Sequence, residues 1–267
     1  MGLAGGGAGE GAATASTPGA PAVCCPAVNL IACSPGRPAR CAAASFECVG
    51  DDALRWEVVT TVILQASAVL VILTGAWGIA RMARVALTVV LWAWALEAVG
   101  VATGLPFGAY HYTDRLQPQI ANVPLVIPAA WLMMLPPAWA VAHAVAGERR
   151  RAAGVVVSAL AFTAWDLFLD PQMAAWGFWQ WDQAGGYFGI PWSNFIGWML
   201  GAAGATLLTR PSQLPQRPLI IIYGITWALE TIGQLFFWGL PGPAVAGFCG
   251  MGIFIAWMGI MRRRGRT

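Results

Sequence analysis

Residues 56–80 read WEVVTTVILQASAVLVILTGAWGIA, and Arg81 and Arg84 follow at once. An α-helix needs about 20 apolar residues to cross the hydrocarbon core of a bilayer. This run has that length, and its one carboxylate, Glu57, stands at the start. Comparable runs recur near 85–104, 122–146, 152–169, 192–209, 218–238 and 243–261. The expected fold is therefore all-α: a polytopic transmembrane helix bundle of about seven spans. The fourth and fifth runs are short, near the lower limit for spanning.

Composition agrees. Hydrophobic residues make up 58% of the chain and charged residues only 10%, against about a quarter charged in soluble domains. A net charge of +3 is too small and dispersed to suggest a nucleic-acid partner. Every one of the fifteen basic residues is Arg. Without a Lys the chain cannot form the Schiff base of a seven-helix retinal protein.

The arginines divide the chain independently of hydropathy. Arg81 and Arg84, then Arg149–Arg151, then Arg210 and Arg217, then Arg262–Arg264 and Arg266 occupy alternate connections. Basic connections face the cytoplasm, so the expected topology in the cell membrane is N-terminus outside and C-terminus inside. The opposite connections, PFGAYHYTDRLQPQIAN (106–122) and DPQMAAWGFWQWDQAGGYFGIP (170–191), hold a single Arg, Arg115. Their aromatic, Gly and Pro content suits an interfacial belt or a lid over a site.

Residues 1–52 are rich in Ala, Gly, Pro and Cys and lack apolar periodicity, so they read as a disordered low-complexity tail. They lack the basic segment and apolar run of a signal peptide. Residues 53–267 form the transmembrane domain. Five cysteines (Cys24, Cys25, Cys33, Cys41 and Cys48) fall in the tail, and Cys249 lies in an apolar run. Their irregular spacing, with no His nearby, does not fit zinc. With two distant His in the whole chain, no metal is expected.

Ionisable groups inside a membrane cost roughly 2.5–3.5 kcal/mol each at a helix centre, so those that remain need a reason. Glu97, Asp166, Asp170 and Glu230 all fall in the outer halves of their helices. Asp166 and Asp170 are four apart and share a face if the helix reaches both. Pro171 disfavours helix at Asp170, which is expected at the helix end. His111, Tyr112 and Asp114 from the first outer loop, and Asn194 from the start of the fifth helix, join them at that depth. Gly197, Gly201 and Gly204 suit close helix packing. DLFLD (166–170) resembles the Mg²⁺-binding motifs of membrane prenyltransferases, but those enzymes need basic residues for a diphosphate, and here the Arg clusters lie on the other side.

Four stretches carry a more specific resemblance: EAVGVATGLPFGAYHYTD from Glu97, VPLVIPAAWLMM from Val123, DLFLDPQMAAWGFWQW from Asp166 and GGYFGIPWSNFIGWML from Gly185. With the Glu230 helix they resemble the CruF-type carotenoid 1,2-hydratases, membrane proteins of carotenoid biosynthesis, over about residues 60–260. The resemblance implies cofactor-independent addition of water to a terminal C1=C2 double bond of a linear or monocyclic carotenoid. Its implied partners are that lipid-soluble substrate and membrane lipid, and it leaves open association with other carotenoid enzymes.

The residues suit this chemistry on their own terms. Hydrating a trisubstituted alkene needs a proton donor strong enough to form a tertiary cation, and a guided water. A carboxylic acid in apolar surroundings keeps its proton, while a second, ionised carboxylate steadies the cation and takes a proton from water. The expected catalytic set is Asp166, Asp170, Glu97 and Glu230, with Asp166 favoured as the acid. His111, Tyr112, Asp114 and Asn194 are expected to bind substrate. Three readings compete: a carotenoid cyclase, which starts with the same protonation; a transporter, although the halves show no inverted repeat; and a non-catalytic carotenoid-binding subunit.

Overall fold

The computed structural model describes residues 51–147 and 150–264. The tail expected over 1–52 lies outside them except for its last two residues, as do its five cysteines. Cys249 is a free, exposed thiol.

Seven helices make up the described chain: α1 Asp51–Trp77, α2 Ile79–Thr103, α3 Val126–Ala146, α4 Arg151–Ala175, α5 Trp192–Thr209, α6 Gln216–Ile232 and α7 Pro241–Arg264. A π-helical turn, Gly233–Phe237, extends α6. Six helices are long and apolar enough to cross a membrane; α5, with 18 residues, is the exception. It still runs the length of the bundle. At its start Ser193 donates to the Phe107 carbonyl at 2.8 Å, and just past its end Ser212 accepts from Arg81. The protein is a multi-pass membrane protein.

Burial sets the order of the layers. In α3, 78% of the apolar window is buried, against 22% in α1 and α2. So α3 and α4 form the centre, and the other helices turn apolar side chains such as Leu64, Val71, Ile221 and Ile253 outward, where lipid is their natural solvent. The centre is aromatic. Trp131 stacks on Trp198 with ring centroids 5.3 Å apart, and Phe162 and Trp165 pack beside them.

The glycines of α5 act as expected, although their partners are side chains rather than another glycine face. Phe107 packs on Gly197, Leu96 and Trp131 on Gly201, and Trp92 on Gly204. The Trp92 indole also donates to the Gly201 carbonyl at 2.9 Å.

Three boundaries differ from the sequence expectation, each for a local reason. Gly78, with φ of 74°, breaks the chain between α1 and α2, so Arg81 and Arg84 fall inside α2. They mark the same end of the bundle, because Arg81 binds Ser212 in the α5–α6 connection. The run from 122 does not begin a helix. Ala121 and Asn122 both have positive φ, as a two-residue hairpin turn requires, and join β2 (Gln119–Ile120) to β3 (Val123–Pro124). Finally, α4 does not stop near 169 but runs through Pro171, so Asp170 lies within it rather than at its end.

That last helix needs compensation. Proline has no N–H for the carbonyl four residues back, here that of Leu167. The Tyr187 hydroxyl takes the place of the missing donor at 2.9 Å. One residue on, Gln234 Nε2 donates to the Phe168 carbonyl at 3.0 Å. The same device serves α3, where Pro137 leaves the Met133 carbonyl to Gln65 Nε2 at 3.4 Å.

The Gly201 contact provides a direct test of the packing. A Cβ there would collide with Leu96 and lie 2.7 Å from Trp131. Overpacking of a filled core costs about 1–3 kcal/mol. Gly201→Val is expected to lower the thermal unfolding midpoint in detergent by several degrees; an unchanged midpoint would contradict this packing.

Candidate active site

The two aromatic loops at the end away from the arginines are zipped together. β1 (Tyr110–Tyr112) pairs antiparallel with β4 (Trp179–Trp181), matching Tyr110 with Trp181, His111 with Gln180 and Tyr112 with Trp179. Alternate residues of a strand face opposite ways. Tyr110, Tyr112, Trp179 and Trp181 therefore turn inward, and His111 and Gln180 outward. The paired loops, called the lid below, cover a cavity whose walls include all four of these aromatic residues.

Beneath the lid is a cavity of about 130 Å³ with mostly apolar walls. Leu116, Ile127, Met133, Trp165, Leu169 and Trp198 contribute to those walls, and Glu97, Asp170, Asn194 and Glu230 bring the polar groups. Glu57 and Thr61 of α1 line the same cavity and are exposed, which marks where it opens.

Two carboxyl arrangements adjoin it. Glu97, on α2, is 2% exposed. Tyr110 and Tyr112 both donate to its Oε2, at 2.5 and 2.8 Å. Burial first, and then the Glu97 carboxyl, push both phenols up, so both remain O–H donors at any physiological pH. Two donors on one oxygen solvate a carboxylate charge where water is scarce.

In the second arrangement Asp166 and Asp170 lie on one face of α4, and the single amide nitrogen of Asn194 donates to Oδ2 of each, at 2.9 Å for Asp166. Both carboxyls are buried and adjoin one another. Asp166 Oδ1 has no donor from the described residues. A proton held between the two carboxyl groups would supply that missing hydrogen bond.

A third polar group runs along the wall. Gln234 Nε2, in the π turn, lies 2.8 Å from Gln172 Oε1 and 3.4 Å from Glu230 Oε2. Gln172 and Glu230 both reach the cavity.

Residues 57–254 match the family described as carotenoid biosynthesis protein. The chain belongs to this family. Every cavity residue named above lies inside the matched span. Among curated proteins, the chain is 36% identical over 132 residues to a bisanhydrobacterioruberin hydratase of Haloarcula japonica, covering 48% of this chain and 44% of that protein. The chain thus spans less than half the length of that relative. No solved structure matches.

Within this family member the expected site residues separate. Glu97, Asp170, Glu230, Tyr112 and Asn194 reach the cavity. Asp166, the expected acid, does not; it stands behind Asp170, fully buried. His111 and Asp114 are exposed and do not line the cavity. Strand alternation turns His111 outward to Asp182, 3.5 Å away, with both side chains 57% exposed. Sequence reasoning passed over Tyr110, Gln172, Gln234 and Glu57. Strand alternation puts Tyr110 on the same face as Tyr112, but nothing in the sequence marks the glutamines.

Removing the bridging amide tests the carboxyl pair. Hydrogen bonds to charged groups contribute about 1.5–3 kcal/mol each. Asn194→Leu is expected to lower the unfolding midpoint in detergent markedly more than Ser193→Ala, one residue away; equal shifts would show that the bridge contributes little.

Proposed function

We propose that this protein hydrates the terminal C1=C2 double bond of a linear or monocyclic carotenoid, giving a tertiary alcohol. The observation that carries the reading is the pair of unlike carboxyl sites on one apolar cavity: Asp170 backed by Asp166, and Glu97 under two phenols. Family membership and the hydratase name of the Haloarcula japonica relative support it.

A carotenoid dissolves in the bilayer. The opening beside Glu57 and Thr61 admits an apolar chain end, and the tryptophans of the cavity surround it. Asp170, rather than Asp166, delivers the proton because it faces the cavity. The shared proton moves from Asp170 to C2, the π electrons form the new C–H bond, and a tertiary cation remains at C1. Aromatic faces and the Glu97 charge steady that cation. Water adds to C1 and loses a proton to Glu97, which leaves the alcohol. Proton return from Glu97 to the aspartate pair through water completes the cycle, and the balance needs water alone. Asn194 fixes the geometry of the pair, while Glu230, Gln234 and Gln172 lead water along the wall.

The arginine-bearing end of the bundle faces the cytoplasm in this reading, so the reaction lies in the outer half of the cell membrane.

Pigment analysis of variants expressed with a carotenoid pathway tests these roles. Loss of a general acid or base costs typically 100-fold or more. Asp170→Asn and Glu97→Gln are each expected to reduce hydrated product by about that factor at equal protein level, and Glu230→Gln by less. His111→Gln and Asp114→Asn leave product unchanged. Full hydration by Asp170→Asn, or a wild-type product with the mass of its precursor, would overturn the reading.

A further inference from the structure

The opposite end of the bundle carries a second cavity that hydration does not use. It lies among the end of α3, the start of α4 and the end of α5, with a volume of about 620 Å³. Arg150, Arg151, Arg210 and His143 line it, and no carboxylate lines it among the described residues. These three arginines are exposed at the mouth of the hollow and focus positive potential into it.

The backbone adds to the same field. α4 begins at this cavity without a side-chain cap, so its first N–H groups and the positive end of its dipole are available to an anion. The floor is built and neutral: Trp139 Nε1 donates to Thr206 Oγ1 at 2.8 Å, and Ser158 Oγ lies 3.2 Å from the same oxygen. One flank is apolar and open, since Leu207 lines the cavity and is 59% exposed.

We propose that this cavity binds a phosphate-bearing anion, with Arg150, Arg151 and Arg210 as its ligands. A lipid headgroup and a free phosphate share that chemistry. The exposed Leu207 flank gives the acyl chains of a lipid a place to lie.

The full-length protein, purified in detergent, is titrated separately with phosphatidylglycerol and with inorganic phosphate, and bound molecules are counted by mass spectrometry of the intact complex. Each basic residue near an anionic lipid surface contributes enough that losing all three weakens binding by roughly tenfold or more. That loss is expected for the triple variant Arg150→Gln, Arg151→Gln, Arg210→Gln. Gly154→Leu provides an independent arm. Gly154 lines the cavity, a Cβ there meets nothing within 4 Å, and leucine favours the helix. It fills the hollow with every charge in place and is expected to weaken binding as well.

Arg217→Gln, an exposed arginine outside the cavity, is expected to change nothing. Variant-sensitive binding of phosphatidylglycerol alone identifies a lipid headgroup as the source; variant-sensitive binding of both ligands identifies phosphate itself. The proposal is overturned if wild type binds neither ligand. It is equally overturned if the triple variant and Gly154→Leu bind as wild type does, or if Arg217→Gln weakens binding as much as they do.

Discussion

A carboxyl group inside a lipid-surrounded bundle has only protein to solvate it, and this constraint accounts for the arrangement around each acid. Asn194 places one amide between Asp166 and Asp170. Tyr110 and Tyr112 bring two hydroxyls to Glu97, and Gln234 reaches toward Glu230. The tyrosines come from a lid strand and Asn194 from the first turn of α5, so lid, helix start and acids must be assembled together. The carbonyls left without donors by Pro171 and Pro137 are met in the same way, by Tyr187 and Gln65.

The differences between the two carboxyl sites follow from who solvates them. Phenols can donate but burial keeps them from giving up their protons, so Glu97 receives two fixed donors. The aspartates share the Asn194 nitrogen, Trp179 adds a hydrogen bond to Asp170, and the two carboxyls stand beside each other, which leaves room for a proton between them. Glu97 is thus set apart from the aspartate pair by its two phenol donors, within a single apolar cavity. That division supports general acid and base roles in the proposed hydration.

Much of this was legible in the sequence. Apolar run length predicted the helices, and alternating arginines assigned their ends, because both depend on local composition alone. The common depth of Glu97, Asp166, Asp170 and Glu230 follows from the same count. Which side chains meet depends on pairing between distant segments. Nothing within YHY says that the tyrosines face inward and His111 outward until β1 meets β4. Pro171 looked like a helix stop because its compensating donors, Tyr187 and Gln234, are distant in sequence. The i,i+4 spacing put Asp166 and Asp170 on one face, but only the packing of α5 shows that Asp170 alone meets the cavity.

The two ends of the bundle are chemically distinct, with aromatic residues and acids at one and most of the arginines at the other. The central claim concerns the acid end: a proton from protein and an oxygen from water are added across one double bond. The most direct measurement is the mass of the pigment formed by purified protein from its carotenoid in water labelled with deuterium and heavy oxygen. The account predicts one heavy oxygen in a tertiary alcohol and one non-exchangeable deuterium on the adjacent carbon. A product without heavy oxygen, isomeric with its precursor or identical to it, would contradict the account.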